Sequence, residues 1–178
     1  MIFVTGGARS GKSVFAEQLA LKDGGGVTYI ATAAAGDAEM EARIAEHRRR
    51  RPASWTTVEA GVDLPGAIET ALGGGGAVLV DCLTVYLSNL LMAREEPGLM
   101  AASSQDLQEQ VGRLADVCRE RPESERLIVV SNEVGMGIVP DTHLGRIFRD
   151  VAGRANQRLA AVAKEVFLCV SGIPIRIK

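Results

Sequence analysis

Eight residues near the start of the chain, Gly6-Gly7-Ala8-Arg9-Ser10-Gly11-Lys12-Ser13, fix the architecture that the rest of the sequence must follow. They satisfy the pattern G-x-x-x-x-G-K-[ST]. The apolar run Ile2 to Thr5 precedes them and a helical pattern follows, which is the context that a phosphate-binding loop requires. A glycine turn that binds no ligand would fit the same sequence pattern, but the strand before it and the helix after it favour nucleotide binding.

Elementary chemistry gives each position of this loop a task. Glycines let backbone N–H groups curl around phosphate oxygens without a Cβ in the way, and the helix N-terminus favours an anion. Lys12 is expected to reach the β- and γ-phosphates, and the Ser13 hydroxyl is expected to bind Mg²⁺. All residues from Gly6 to Ser13 are therefore predicted to bind nucleotide, with Lys12 catalytic and Ser13 at the metal.

Several short apolar runs are continuous rather than alternating, as in strands that helices cover on both faces. Trp55 to Glu59 is a more polar run and is predicted to be an edge strand. Pro174 permits a last strand, Ile175 to Ile177, which the turn at Ser171-Gly172 directs antiparallel to the strand before it. The continuous runs are Ile2 to Thr5, Val27 to Thr32, Ala77 to Asp81, Leu127 to Asn132 and Val166 to Val170.

Helical patterns alternate with these strands, and Asp37 and Asp141 are the predicted N-caps of two of them. The order β-α-β-α implies a doubly wound parallel sheet. We therefore predict one α/β domain over residues 1–178, a P-loop NTPase-like, mostly parallel sheet of about seven strands flanked by helices, with the last strand antiparallel. The predicted helices are Lys12 to Lys22, Asp37 to Arg49, Leu64 to Leu72, Thr84 to Ala93, Ser104 to Arg119 and Thr142 to Lys164.

Composition excludes several classes of function. A length of 178 residues fits one domain, and a net charge of -2 with 4% aromatic residues argues against a nucleic-acid partner. No apolar run approaches the roughly 20 residues of a membrane helix, so no integral membrane segment is expected and the cytoplasm is the expected compartment. Cys82, Cys118 and Cys169 are far apart and are expected to be buried small hydrophobes rather than metal ligands or disulfides.

Asp81 ends the apolar run Ala77 to Val80, which places a carboxylate at the sheet edge where phosphates bind. An aspartate at the end of a strand is also a common helix cap, and either Asp81 or Thr84 is a candidate cap for the next helix. Together with the phosphate-binding loop, the position favours a role for Asp81 at Mg²⁺ or in its water shell.

His47 lies near the end of a charged helical pattern, four residues after Arg43 and directly before Arg48-Arg49-Arg50-Arg51. One interpretation is a solvated, charged helix end, where arginines suit the helix dipole. The other is chemical. Guanidinium groups disfavour a protonated imidazole and neutralise a triphosphate, which suits a histidine that attacks phosphorus. His143 has no such cationic cluster and is predicted to be a surface residue.

The chain resembles the bifunctional adenosylcobinamide kinase / adenosylcobinamide-phosphate guanylyltransferase family of cobalamin synthesis. The resemblance spans nearly the whole chain, and its more specific blocks are the histidine helix and the Asn-Glu-Val-Gly segment. The blocks that carry it are Val4 to Ser13, Tyr29 to Ala33, Arg43 to His47, Arg51-Pro52, Trp55 to Glu59, Asp81 to Thr84, Ser88 to Leu91, Ser131 to Pro140, Phe148 to Gln157 and Ser171 to Lys178.

The resemblance implies a transferase with two steps. The enzyme would phosphorylate adenosylcobinamide with ATP or GTP, then take GMP from GTP as a guanylyl-histidine and pass it to adenosylcobinamide phosphate, giving adenosylcobinamide-GDP. His47 stands at the guanylylated position. The resemblance also implies a homo-oligomer, with a trimer expected. Besides Gly6 to Ser13, the positions that match nucleotide contacts are Ala31, Thr32, Ala33, Arg48, Arg49, Arg50, Arg51, Glu59 and Asp81.

Two departures from the family pattern leave the corrinoid contacts open. Tyr86 stands where many members carry tryptophan, and Glu46 stands where some carry a second histidine. The base that activates the acceptor hydroxyl is also open, with Glu133 and Asp81 as candidates by position. Two other functions remain as alternatives: a P-loop small-molecule kinase without a covalent intermediate, and a nucleotide-regulated binding module or ATP-driven assembly protein.

Overall fold

The structure, a computed structural model, describes residues 1–22, 24–33, 38–93, 100–119 and 126–178. Its strands are β1 (Ile2–Gly6), β2 (Val27–Ala31), β3 (Thr56–Glu59), β4 (Ala77–Asp81), β5 (Arg126–Asn132), β6 (Glu165–Val170) and β7 (Ile173–Arg176). Its helices are α1 (Lys12–Leu21), α2 (Ala38–Arg50), α3 (Leu64–Gly73), α4 (Leu83–Met92), α5 (Met100–Arg119) and α6 (His143–Val162).

The described strands form one sheet in the order β3-β2-β4-β5-β1-β6-β7. All neighbouring pairs are parallel except β6 and β7, which are antiparallel. Register brings the carboxyl ends of the strands to one edge, with Gly6 opposite Asn132 and Ala31 between Asp81 and Glu59. Open α/β sheets bind ligands at this edge, so the sheet itself assembles the candidate site.

Both faces of the sheet are buried, because successive residues of a strand point to opposite faces and helices cover each face. On one face Ile30, Val78 and Val80 pack against residues of α3, α5 and α6. On the other face Val4 and Leu79 pack with residues of α1. This burial explains the continuous apolar runs in the sequence and confirms the predicted fold class, with β3 at one edge and the last strand antiparallel.

Differences from the predictions lie at the ends of elements. The predicted N-cap Asp141 was wrong: Thr142 is the cap of α6, and its Oγ1 accepts a hydrogen bond from Gly145 N at 3.1 Å. Cys82 is the N-cap residue of α4, so neither Asp81 nor Thr84 caps that helix. A cap is decided by the backbone angle at which the chain enters the helix, which residue type alone does not fix.

The last strand begins at Ile173 rather than Ile175, and Pro174 pairs with Cys169 inside it. Proline is tolerated there because β7 is an edge strand. The predicted cap Asp37 lies outside the described residues. Cys82, Cys118 and Cys169 are buried, and His143 is exposed, as predicted. Among the described helices, none has the length and apolarity needed to cross a membrane.

Candidate active site

The phosphate-binding loop joins β1 to α1, and two of its glycines are required by close packing. A Cβ on Gly6 would lie 2.5 Å from the carbonyl oxygen of Cys169, and Gly11 has a φ of +89°. Neighbouring segments brace the loop, because Glu133 N donates to Gly6 O at 3.0 Å and Gly172 N donates to Ser10 O at 2.9 Å. The loop is therefore held between the ends of β5 and β6.

Lys12 is buried and folds back over this loop, donating from Nζ to the carbonyl oxygen of Gly7 at 3.0 Å. The Ser10 hydroxyl is buried without a hydrogen-bond partner among the described residues. A buried ammonium group with one carbonyl partner and an unpaired hydroxyl in the same loop leave donors for an anion.

A cleft of about 1170 Å³ opens above the loop, at the carboxyl edge of the sheet. Gly6 and Gly7 form the start of the loop beneath this cleft, whereas Arg49 is exposed and is not part of its lining. Thr32 is buried. The predicted site residues that line the cleft are Ala8, Arg9, Ser10, Gly11, Lys12, Ser13, Ala31, Ala33, His47, Arg48, Arg50, Arg51, Glu59 and Asp81.

His47 projects into this cleft from α2 and meets one anion and one cation. Its Nδ1 lies 3.9 Å from Asp81 Oδ2 and 3.2 Å from Nη2 of Arg50. Burial lowers the pKa of His47, Arg50 and Arg51 lower it further, and the Asp81 carboxylate opposes them without reversing the direction. A guanidinium can only donate, so the Arg50 contact is a hydrogen bond when Nδ1 is unprotonated. The surroundings thus favour a neutral imidazole, the form that has a lone pair to attack phosphorus.

The Asp81 carboxylate is held in place by Tyr29, whose hydroxyl donates to Oδ2 at 3.2 Å. Burial, followed by the neighbouring Asp81 charge, raises the pKa of Tyr29, so the phenol remains a donor. Ser13 and Asp81 both face the cleft and offer oxygen atoms. This small donor set fits Mg²⁺, which takes one or two protein oxygens and completes its octahedron with phosphate and water.

The arginines that follow His47 tie α2 to the sheet and to α1. Arg51 Nε donates to His47 O at 3.0 Å, and the Arg51 guanidinium lies 3.7 Å above the Tyr29 ring. Arg48 pairs with Glu59 at 3.1 Å, and Arg50 pairs with Glu17 at 3.4 Å.

Thr32 does not line the cleft but stabilises the segment behind it. Its Oγ1 accepts a hydrogen bond from Cys82 N at 2.8 Å, and its carbonyl oxygen accepts from Asn89 Nδ2 at 2.7 Å. These contacts join the segment after β2 to the N-cap residue of α4, Cys82, and to Asn89 within the helix. Thr32 therefore shapes the cleft through its neighbours Ala31 and Ala33, which do line it.

Sequence reasoning gave no role to Tyr29, Glu17 or Asn132. Asn132 lines the cleft and donates from Nδ2 to Thr84 Oγ1 at 2.7 Å. A buried tyrosine in a strand needs a partner for its hydroxyl, and an acidic residue inside the apolar helix α1 needs a cation, so each carried a signal. The signal did not identify the partner, because Tyr29–Asp81 and Glu17–Arg50 are distant in sequence.

Known proteins are similar to this chain over nearly its full length. Residues 2–177 match the family described as cobinamide kinase / cobinamide phosphate guanyltransferase. The bifunctional adenosylcobalamin biosynthesis protein CobU of Salmonella typhimurium is 46% identical and that of Escherichia coli 45%, each match covering 100% of this chain and 99% of the relative. The corresponding CobP protein of Pseudomonas aeruginosa is 43% identical, over 98% of this chain and 95% of its own length.

Among solved structures, the RadB recombinase is 19% identical with a TM-score of 0.46, covering 94% of this chain and 72% of that one, a level of similarity that adds nothing to the assignment. The match over residues 2–177 and the similarity to full-length relatives show the family on their own. The chain belongs to the cobinamide kinase / cobinamide phosphate guanyltransferase family.

Proposed function

We propose that this chain is a bifunctional transferase of cobalamin biosynthesis, built as one domain over residues 1–178 and working in the cytoplasm as a homo-oligomer, a trimer. It phosphorylates adenosylcobinamide with ATP or GTP. It then transfers GMP from GTP, through a covalent guanylyl-His47, to adenosylcobinamide phosphate. The observation that carries the proposal is the position of His47, whose pKa is lowered and which faces the same cleft as the phosphate-binding loop.

In the kinase step, the loop from Gly6 to Ser13 holds the triphosphate of the nucleotide. Lys12 leaves the Gly7 carbonyl for the β- and γ-phosphates, where its ammonium group stabilises the charge that develops during transfer. Ser13 and Asp81 would hold Mg²⁺, which would further neutralise that charge. The remaining task of the protein is to position the acceptor hydroxyl in line with the γ-phosphorus.

In the guanylyl transfer, a neutral imidazole nitrogen of His47 attacks the α-phosphorus of GTP. The bond from that phosphorus to the bridging oxygen breaks, and pyrophosphate leaves. A phosphate oxygen of adenosylcobinamide phosphate then attacks the same phosphorus and the imidazole leaves, which gives adenosylcobinamide-GDP. Splitting the transfer in this way lets one nucleotide site serve both reactions.

The nucleotide is bound by residues from several elements of the cleft. The cationic side chains Arg48, Arg50 and Arg51 line it and attract a polyphosphate. Arg49, on the exposed side of α2, contributes charge to the field around the cleft rather than a direct contact. Glu59 and the backbone from Ala31 to Ala33 border the space that remains for the base and the ribose.

The test is to incubate the purified protein with GTP labelled at the α-phosphorus, without an acceptor, and to look for label on the denatured protein. We expect an acid-labile, alkali-stable label in the wild type and none in His47→Asn, which keeps a polar side chain of similar size. The same variant should retain the fold and much of the kinase activity. If the wild-type protein binds GTP but takes up no label, a kinase without a covalent intermediate becomes the better description.

A further inference from the structure

We propose that Glu133 is the general base of the kinase step, the group that accepts the proton of the acceptor hydroxyl. The inference rests on the proposed function and deepens it, because position in the sequence leaves Glu133 and Asp81 as equal candidates.

Glu133 follows the end of β5 and is anchored to the phosphate-binding loop through its own backbone. Its N–H donates to Gly6 O at 3.0 Å, so the backbone of Glu133 is fixed relative to the phosphate-binding loop. The side chain is half-buried and lines the cleft. Oε1 accepts a hydrogen bond from Gly135 N at 2.7 Å. Within the described residues Oε2 has no partner, which leaves one carboxylate oxygen available to a substrate proton.

Asp81 is already committed to other contacts. Its Oδ2 accepts the Tyr29 hydroxyl at 3.2 Å and lies 3.9 Å from His47 Nδ1. Its side chain is only 10% exposed, and it stands at the strand end where a carboxylate holds Mg²⁺ or its water. An Asp81 oxygen that accepts from Tyr29 and lies beside His47 is less open to an acceptor hydroxyl than Oε2 of Glu133, which has no partner among the described residues.

The surface next to Glu133 suits a large acceptor with apolar parts. Val134 lines the cleft, and the segment that follows exposes Met136, Ile138 and Val139 to solvent. Large exposed apolar side chains close together in one segment beside a polar cleft would suit the apolar parts of a ligand. An acceptor that rests on this segment would bring its hydroxyl to the Glu133 side of the cleft, rather than to the His47 side.

The two reactions differ in their need for a base, and this difference makes the proposal testable. In the kinase step the hydroxyl oxygen bonds to the γ-phosphorus, the bond from that phosphorus to the β-phosphate oxygen breaks, and the hydroxyl proton passes to Glu133 as the nucleoside diphosphate leaves. In the guanylyl transfer the acceptor is a phosphate group, which carries a charge of about -1.5 to -2 at pH 7 and attacks through an oxygen that is already unprotonated. Glu133 is therefore required for one reaction and not for the other.

The experiment compares the wild type with Glu133→Gln in three assays on the same preparation. The assays are phosphorylation of adenosylcobinamide with ATP, covalent labelling by α-labelled GTP, and transfer of GMP to adenosylcobinamide phosphate supplied in advance. Glutamine keeps the oxygen that accepts from Gly135 N but cannot take up a proton. Glu41→Gln is the matched control, because it removes a negative charge from another side of the same cleft.

We expect Glu133→Gln to lower kinase kcat by about a hundredfold or more, the usual contribution of a positioned base, with KM for ATP little changed. Labelling and GMP transfer should stay within about threefold of the wild type, as should all three rates of Glu41→Gln. Kinase activity within tenfold of the wild type would overturn the proposal. An equal fall in all three assays would overturn it too, because Glu133 would then support the loop rather than accept a proton. Absence of all three activities in the wild type would instead reject the proposed function.

Discussion

Removing the Arg50 guanidinium should raise the pKa of His47. In the structure Nη2 of Arg50 lies 3.2 Å from His47 Nδ1, and Arg50 is the first of the two arginines that lower this pKa. Arg50→Gln keeps length and polarity but removes the charge. It also admits water to the space beside the ring, which weakens the effect of burial. Both changes act in the same direction, and the Asp81 carboxylate, which raises the pKa, remains in place.

The size of the effect follows from distance and exposure. Two unit charges about 4 Å apart interact by about 4 kcal/mol near a protein surface and by about 1 kcal/mol in bulk water. The Arg50 side chain is 36% exposed and the His47 side chain 34% exposed. Solvent screening therefore reduces their interaction energy towards about 1 kcal/mol. A change of about 1 kcal/mol corresponds to a rise of about 0.7 pKa unit.

The assay is an NMR titration of the nucleotide-free, metal-free protein from about pH 5 to about pH 8, the range in which histidine titrates. The chain has two histidines, so exposed His143 is an internal reference in the same spectra. Arg49→Gln is the matched control, since it removes the neighbouring charge from the exposed side of α2 and should leave His47 unchanged. An unchanged or lower His47 pKa in Arg50→Gln, or an equal rise in Arg49→Gln, would refute the reasoning.

Three further changes test the loop and one helix end. Lys12→Ala should weaken triphosphate binding and slow both transfers by roughly a hundredfold, since the triphosphate loses a positioned cation; calorimetry and the two rate assays measure this, and unchanged rates would contradict a shared site. Gly6→Ala should cost about 1–3 kcal/mol in thermal unfolding because the new Cβ meets a backbone carbonyl, whereas Gly7→Ala has open space and should cost little. Thr142→Ala should lose about 1 kcal/mol of stability as a cap, and more than Asp141→Ala does in the same unfolding assay.

Much of the fold was predictable because strands that are buried on both faces have continuous apolar runs in the sequence. The central residues of β1, β4 and β5 form continuous apolar runs, and the structure buries them between helix layers. The edge position of β3 followed from its polarity. The order of strands was not predictable in the same way, because all the inner strands carry the same pattern and nothing in it says that β4 lies between β2 and β5.

The phosphate-binding loop was predictable from its sequence motif, whereas the hydrogen bonds that stabilise it were not. The loop is one continuous segment, so the roles of its glycines and of Lys12 can be assigned from the sequence alone. Its braces come from backbone atoms of Glu133 and Gly172, which belong to distant segments. Backbone hydrogen bonds of this kind leave no trace in residue type. The contacts of Asn132 and Tyr29 are between side chains, but their partners Thr84 and Asp81 belong to distant segments that only the fold brings near.

The position of His47 was the hardest feature to predict, and the contacts of α2 explain why. Among the described side chains, neither apolar cluster includes a residue of α2. What holds the helix over the cleft is polar: Arg48 with Glu59, Arg50 with Glu17, and Arg51 with the Tyr29 ring and Thr57. An apolar stripe specifies the face that a helix buries, but a charged surface can pair in many ways.

These polar contacts also bear on function. Exposed ion pairs contribute about 0–1 kcal/mol each, so the described contacts of α2 hold it less firmly than apolar burial holds the helices that pack on the core. The arginines that hold it are the groups expected to meet a triphosphate, and phosphate oxygens would compete with Glu59 and Glu17 for them. We therefore expect nucleotide binding and the placement of His47 to be coupled through the same side chains. A sequence pattern locates such a histidine on a helix, but we expect the charges of the bound nucleotide to take part in deciding where that helix lies.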